Sequence, residues 1–155
     1  MQQHSTRSTR RILVVANETV ESTILHEAIR TDADGEGAEI LIVAPALNSR
    51  MRHWVSDEDE ARQAAKARLA RSVDRLVREG VEASGWVGDA DPIQAIDDAL
   101  HVFPADSLII ATHPEGRSNW LARRLVHRAL RRFPLPILHI VVDAAGQSEY
   151  LVAAA

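Results

Sequence analysis

Five short apolar runs alternate with four segments of helical period, and this alternation limits the possible folds more than any other feature. The runs are residues 12–16 (Ile-Leu-Val-Val-Ala), 38–44, 81–87, 107–112 and 137–142. Four are continuous and rich in β-branched residues, the pattern of strands covered on both faces of a parallel sheet. The third alternates Val81, Ala83 and Val87 with Glu82, Ser84 and Trp86, which suits an edge strand with one wetter face.

The segments between the runs have a period near 3.6. Residues 19–30 place Ile24, Leu25, Ala28 and Ile29 on one side. Residues 57–79 carry the stripe Ala61, Ala65, Leu69, Val73 and Leu76, and Gly80 stops them. That helix opens with Asp57, Glu58, Asp59 and Glu60, where the helix dipole favours carboxylates. Asp91-Pro92 reads as an N-cap followed by proline at the first helical position, leading into Ile93, Ile96, Leu100 and Phe103. A fourth helix is expected over 118–133, with Leu121, Ala122, Leu125, Val126, Ala129, Leu130 and Phe133 inward; Pro134 and Pro136 end it.

The resulting β-α-β-α-β-α-β-α-β order predicts an α/β fold: one doubly wound, five-stranded parallel sheet with helices on both faces. At 155 residues there is room for one such domain. The absence of cysteine excludes a disulfide framework, a thiolate metal site and a cysteine nucleophile. Residues 1–10 and 144–155 are expected to be loose tails. Arg10-Arg11 resembles an export signal, but the apolar run after it is five residues long, short of the ~7–15 such a segment needs. No run reaches the ~18 apolar residues of a membrane span, so a cytoplasmic protein without membrane contact is expected.

In an open parallel sheet, ligands bind beyond the carboxyl ends of the strands where strand order reverses. The loops to inspect follow the first and fourth strands, 17–20 and 113–119. Neither a phosphate-binding P-loop nor a Gly-x-Gly-x-x-Gly turn is present. In the second loop Gly116 can expose backbone, Arg117 adds charge, and Ser118 or Asn119 can cap the next helix. Free N–H groups there suit phosphate or carboxylate. An ordinary capped helix start accounts for the same residues.

Three segments carry a resemblance: 88–96 (Gly-Asp-Ala-Asp-Pro-Ile-Gln-Ala-Ile), 109–113 (Ile-Ile-Ala-Thr-His) and 133–138 (Phe-Pro-Leu-Pro-Ile-Leu). In their order and spacing they resemble the universal stress protein (UspA-like) family from Arg11 to Asp143. The resemblance implies strand order 3-2-1-4-5, a homodimer through the fifth strand, a phosphate-containing ligand such as ATP or AMP, and a non-enzymatic regulatory role in stress. It places Asn17 and Thr19 near base and sugar, offers Val43 or Ala44 backbone to adenine, and faces Thr112, Gly116, Arg117 and Ser118 to phosphate.

This chain departs from the ATP-binding pattern Gly-x-x-Gly-(nine residues)-Gly-Ser/Thr. Depending on register, Pro114 replaces the second glycine and Arg124-Leu125 or Arg123-Arg124 the final pair, and Asn17 stands where the family usually has Asp. Pro114 has no N–H to donate. Against the family pattern, Arg117 and Arg124 are expected to replace lost backbone donors with side-chain charge, which selects a smaller anion or a monophosphate.

His113 is a phosphate donor or a hydrogen-bonded loop residue, and His139 is expected near the dimer contact. The seven histidines show no metal-binding spacing, so no metal is expected. Asp89 and Asp91 invite an acid–base reading, but Asp91 is explained as a cap. Trp54 and Trp120 can cover a ligand or close the sheet's edge. Residues 1–115 hold 12 basic and 20 acidic residues, residues 116–155 hold 6 and 2, so the net charge of −4 conceals an arginine-rich fourth helix. Arg123, Arg124, Arg128, Arg131 and Arg132 form a solvated face or meet an acidic protein partner, the latter giving an interaction module without nucleotide binding. Nucleic acid is disfavoured, because no aromatic stacking surface accompanies the arginines.

Overall fold

The computed structural model describes residues 9–33, 37–46, 55–113, 116–142 and 148–154. Strands β1 (Arg10–Val15), β2 (Ala38–Pro45), β3 (Glu82–Gly88), β4 (Ser107–Thr112) and β5 (Ile137–Val142) pair in parallel in the order β3-β2-β1-β4-β5, as expected. Helices α1 (Thr23–Ala33), α2 (Val55–Arg78), α3 (Pro92–Val102) and α4 (Gly116–Arg132) connect them.

Two differences from the sequence expectation have local causes. Residues 19–30 are not one helix. A 3-10 turn (Glu18–Glu21) comes first, and extended Ser22 separates it from α1. Residues 144–155 are not simply a loose tail either. Ser148–Ala154 forms β6, antiparallel to β5, with Leu138 opposite Ala153 and Ile140 opposite Leu151. Tyr150-Leu151-Val152 has the β-propensity for this, hidden in the sequence by flanking Gly146 and the alanine run. β5 is therefore paired on both sides, to β4 and to β6. Trp54, Pro114 and residues 1–8 lie outside the described residues.

Alternation along the strands divides the interior in two. Ile12, Val14, Ile40 and Ile42 pack with Leu25 and Ile29 of α1 and Leu69 and Leu76 of α2. Leu13, Val15, Leu41 and Val43 pack with Ile96 and Ala99 of α3, with Val126 and Ala129 of α4, and with Phe133 just after it. Each fully buried Leu or Ile is worth about 1.5–3 kcal/mol of transfer free energy. Surface pairs such as Arg78–Asp74 contribute roughly 0–1 kcal/mol, so the two cores hold the sheet. β3 is the other edge strand, and its Trp86 is 39% exposed, matching the alternation in its sequence.

Helix ends follow the local signals. Asp91 caps α3 by accepting from Ile93 N–H at 3.0 Å, with Pro92 at the first helical position. Gly80 ends the α2 connection with φ +86°, a left-handed conformation that a Cβ disfavours. Among the described residues no helix is long and apolar enough to cross a membrane.

Candidate functional site

β1 lies between β2 and β4, so the crevice at its carboxyl end is where chain direction across the sheet reverses. Asn17 and Thr19 leave β1 on one side of that crevice; Thr112 and His113 leave β4 on the other. The structure brings these two pairs together. Thr19 Oγ1 donates to the Ala111 carbonyl at 3.1 Å and is buried, tying the 3-10 turn to β4. His113 Nδ1 donates to the Val142 carbonyl at 3.1 Å. That bond sets the tautomer and leaves Nε2 facing Glu18 Oε2 at 3.5 Å, an ion pair whenever the ring is protonated. Thr112 Oγ1 is 2.8 Å from Nε2 of His139, which is 7% exposed inside β5.

Val43 and Ala44 stand at the end of β2, both buried, and the Val43 carbonyl already accepts Ala16 N–H at 3.2 Å. Gly116, Arg117 and Ser118 form the first turn of α4, which begins four residues after Thr112; their side chains lie outside the described part. Arg124 is exposed two turns further along α4, about 12 Å in helical rise from Gly116. It belongs to the arginine face of the helix, away from the helix start.

The β1–β2 side of the crevice is organised by α2. Asn17 Nδ2 donates to the Pro45 carbonyl and its Oδ1 accepts from Arg68 Nη2, both at 2.8 Å. One turn along, Arg71 holds Glu21 through Nε at 2.6 Å and Nη2 at 3.2 Å. These bonds hold the Glu21 carboxyl below its ordinary range, with the charge of Arg68 adding to the effect. Ser72 donates to the Val20 carbonyl at 2.9 Å, and fully buried His26 lies 2.8 Å from the Ser72 hydroxyl. Arg68, Arg71 and Ser72 were not singled out by sequence. Their i, i+3, i+4 spacing beside the apolar stripe was the available signal.

The arginine face of α4 forms a second feature. Ile93, His127, Arg128, Arg131 and Arg132 line an open groove of about 440 Å³ between α3 and α4. Arg132 reaches Asp97 at 3.3 Å and Arg128 reaches Asp91 at 3.8 Å.

No family model matches the sequence. No curated protein matches it either. Among solved structures, a protein from the universal stress protein family of Burkholderia pseudomallei is similar, with a TM-score of 0.58 and 18% identity over 84% of this chain and 94% of that one. A universal stress protein family protein from Arabidopsis thaliana with AMP bound gives 0.53 and 17%, over 88% and 94%. The likeness establishes the fold: this chain folds as universal stress protein family proteins do.

Proposed function

We propose that this chain is a divergent universal stress protein that acts without catalysis, as a regulatory protein binding a phosphate-containing ligand in the β1–β4 crevice. The observation that carries the reading is the tie between the segment leaving β1 and the end of β4, Thr19 to the Ala111 carbonyl and Glu18 to His113, at the switch point of the sheet from which the chain runs on to α4. A helix start supplies N–H donors and a positive dipole end to an anion. AMP in the Arabidopsis protein supports a nucleotide of that size. The replaced glycines favour a monophosphate over a triphosphate.

Calorimetry and thermal shift with AMP, ATP, cyclic AMP and phosphate test this. AMP should stabilise the protein saturably, by about 2.7 kcal/mol at a hundred times Kd, and Arg117→Ala should abolish the effect. No stabilisation by any of the four at millimolar concentration refutes the reading. Phosphate release above a heat-inactivated control refutes its non-catalytic part.

The groove on α4 favours a second reading, an interaction module for an acidic protein partner. Its cations Arg128 and Arg132 are half-engaged by α3 carboxylates, and among the described residues His127 and Arg131 have no ion pair. Salt-sensitive capture of an acidic peptide, lost in Arg131→Glu, is its test. A homodimer through the fifth strand belongs to either reading; because β6 occupies the outer side of β5 in this chain, a second copy would have to meet or displace β6.

A further inference from the structure

α2 lays three side chains along the segment leaving β1: Arg68 on Asn17, Arg71 on Glu21 and Ser72 on Val20. The two arginines offer the same edge of the guanidinium, Nε and Nη2, a fork that matches a pair of oxygens. For Arg71 the fork is full, with one Glu21 oxygen on each nitrogen. For Arg68 it is half full. Nη2 donates to Asn17 Oδ1 at 2.8 Å, while Nε is buried without a partner.

The cause is one atom. A carboxylate answers a guanidinium fork with two oxygens, a carboxamide with one. Asn17 cannot turn its amide to improve the match, because Nδ2 is committed to the Pro45 carbonyl and a flip would set two donors against each other. Nor does a neighbouring acid fill the gap. Glu21 feels the charge of Arg68, but both its oxygens are held by Arg71. Among the described residues Arg68 therefore has no ion pair, although it is half-buried at the switch point of the sheet.

We propose that Arg68 and Asn17 form an oxyanion subsite on the β1–β2 side of the crevice, which takes a phosphate or carboxylate oxygen on the Arg68 fork. This rests on the reading of the crevice as an anion site, yet it requires no adenine and lies across the crevice from His113 and the start of α4. The covered Nε reaches the ligand by rotation of the guanidinium on its flexible stem. The incoming oxygen supplies the acceptor and the negative charge that Asn17 lacks.

The test uses the full chain and four probes: inorganic phosphate, AMP, adenosine and acetate. Phosphate and AMP should raise the melting temperature saturably and adenosine should not. AMP binding more tightly than phosphate assigns the oxyanion to a nucleotide; acetate matching phosphate assigns it to a carboxylate. Arg68→Gln should weaken the bound anion at least tenfold, and Arg68→Lys, which keeps charge but not the fork, should recover only part. Asn17→Asp sets a fixed negative charge against Arg68 while giving up the Nδ2 bond to the Pro45 carbonyl, so it should weaken phosphate at least tenfold. Unchanged phosphate binding in Arg68→Gln or Asn17→Asp overturns the subsite, as does a wild-type protein that no anion stabilises. AMP binding lost in Arg117→Ala but kept in Arg68→Gln sinks the subsite and leaves the nucleotide reading. Phosphate binding lost in Arg68→Gln, with no preference for AMP, sustains the subsite and sinks the nucleotide reading.

Discussion

Burial disfavours the charged form of two histidines in this fold, and that makes stability depend on pH. Desolvation pushes His26 below the ordinary histidine range, against the opposing hydrogen bond to the Val20 carbonyl; the charge of Arg75 lowers it further. Desolvation alone lowers His139. The unfolded chain takes up protons at these residues near pH 6.5, where the folded one resists. Over that window the unfolded state binds more protons, so stability is present above about pH 6.5 and is lost as pH falls below it. Glu21 acts in the same direction at lower pH, because its depressed carboxyl loses its stabilising effect as it protonates. The urea midpoint should therefore be lower at about pH 5.5 than at about pH 7.5. His139→Asn, which keeps a partner for Thr112, should reduce that difference, and equal midpoints at both pH values would refute the account. At this scale legibility depended on distance along the chain. Asn17, Thr19, Thr112 and His113 could be read because strand ends locate a crevice in any parallel sheet. Arg68 could not, since 51 residues separate it from Asn17 and on a helix it reads as a solvated face.

α2 comes close to β3 at Gly85. A Cβ there would lie 2.8 Å from Leu69 Cδ1 and 2.9 Å from the Ile42 carbonyl oxygen. The leucine can rotate, but the carbonyl is fixed in the β2–β3 ladder, where Ile42 pairs with Gly85. Gly85→Ala should thus destabilise the protein by about 1–3 kcal/mol in urea titration, the range of overpacking. A neutral outcome would mean that β3 shifts freely against β2. Asp91→Ala should cost about 0.5–2 kcal/mol by removing the cap of α3, with little effect on the crevice. Caps, prolines and apolar stripes are local, so α3 and β5 were legible to within a residue or two. The 3-10 break before α1 was not, because tertiary contacts create it: Thr19 turns to β4 while Ser72 holds Val20. β6 escaped for a related reason, its pairing being set by the neighbouring strand more than by its own composition.

The whole molecule has a sheet with two unlike edges. Glu82, Ser84 and Trp86 mark the β3 edge as wet, whereas β5 is buried along nearly its full length and relies on β6 for its outer partner. Removing residues 148–155 should leave an apolar, unpaired β5, and such edges recruit further chains. Light scattering should then report a larger assembly than the full chain forms; an unchanged mass would show that β6 does not shield the edge. The charge split also resolves at this scale. The basic surplus lies on the α3–α4 face and the Arg68 fork on the α1–α2 face, so the two candidate surfaces are separated by the sheet. The central position of β1 has a kinetic consequence. Its partners are β2, about 28 positions away, and β4, about 95 away, the latter clamped by Arg11 and Asp106 through a pair of backbone-linked hydrogen bonds. The half-sheet β3-β2-β1 can assemble from nearby segments, but the core beneath α3 and α4 lacks a wall until the distant strand arrives. Closing that span carries the larger loop-entropy cost, so substitutions at the β1–β4 seam should slow refolding in stopped-flow measurements more than equal changes between β1 and β2.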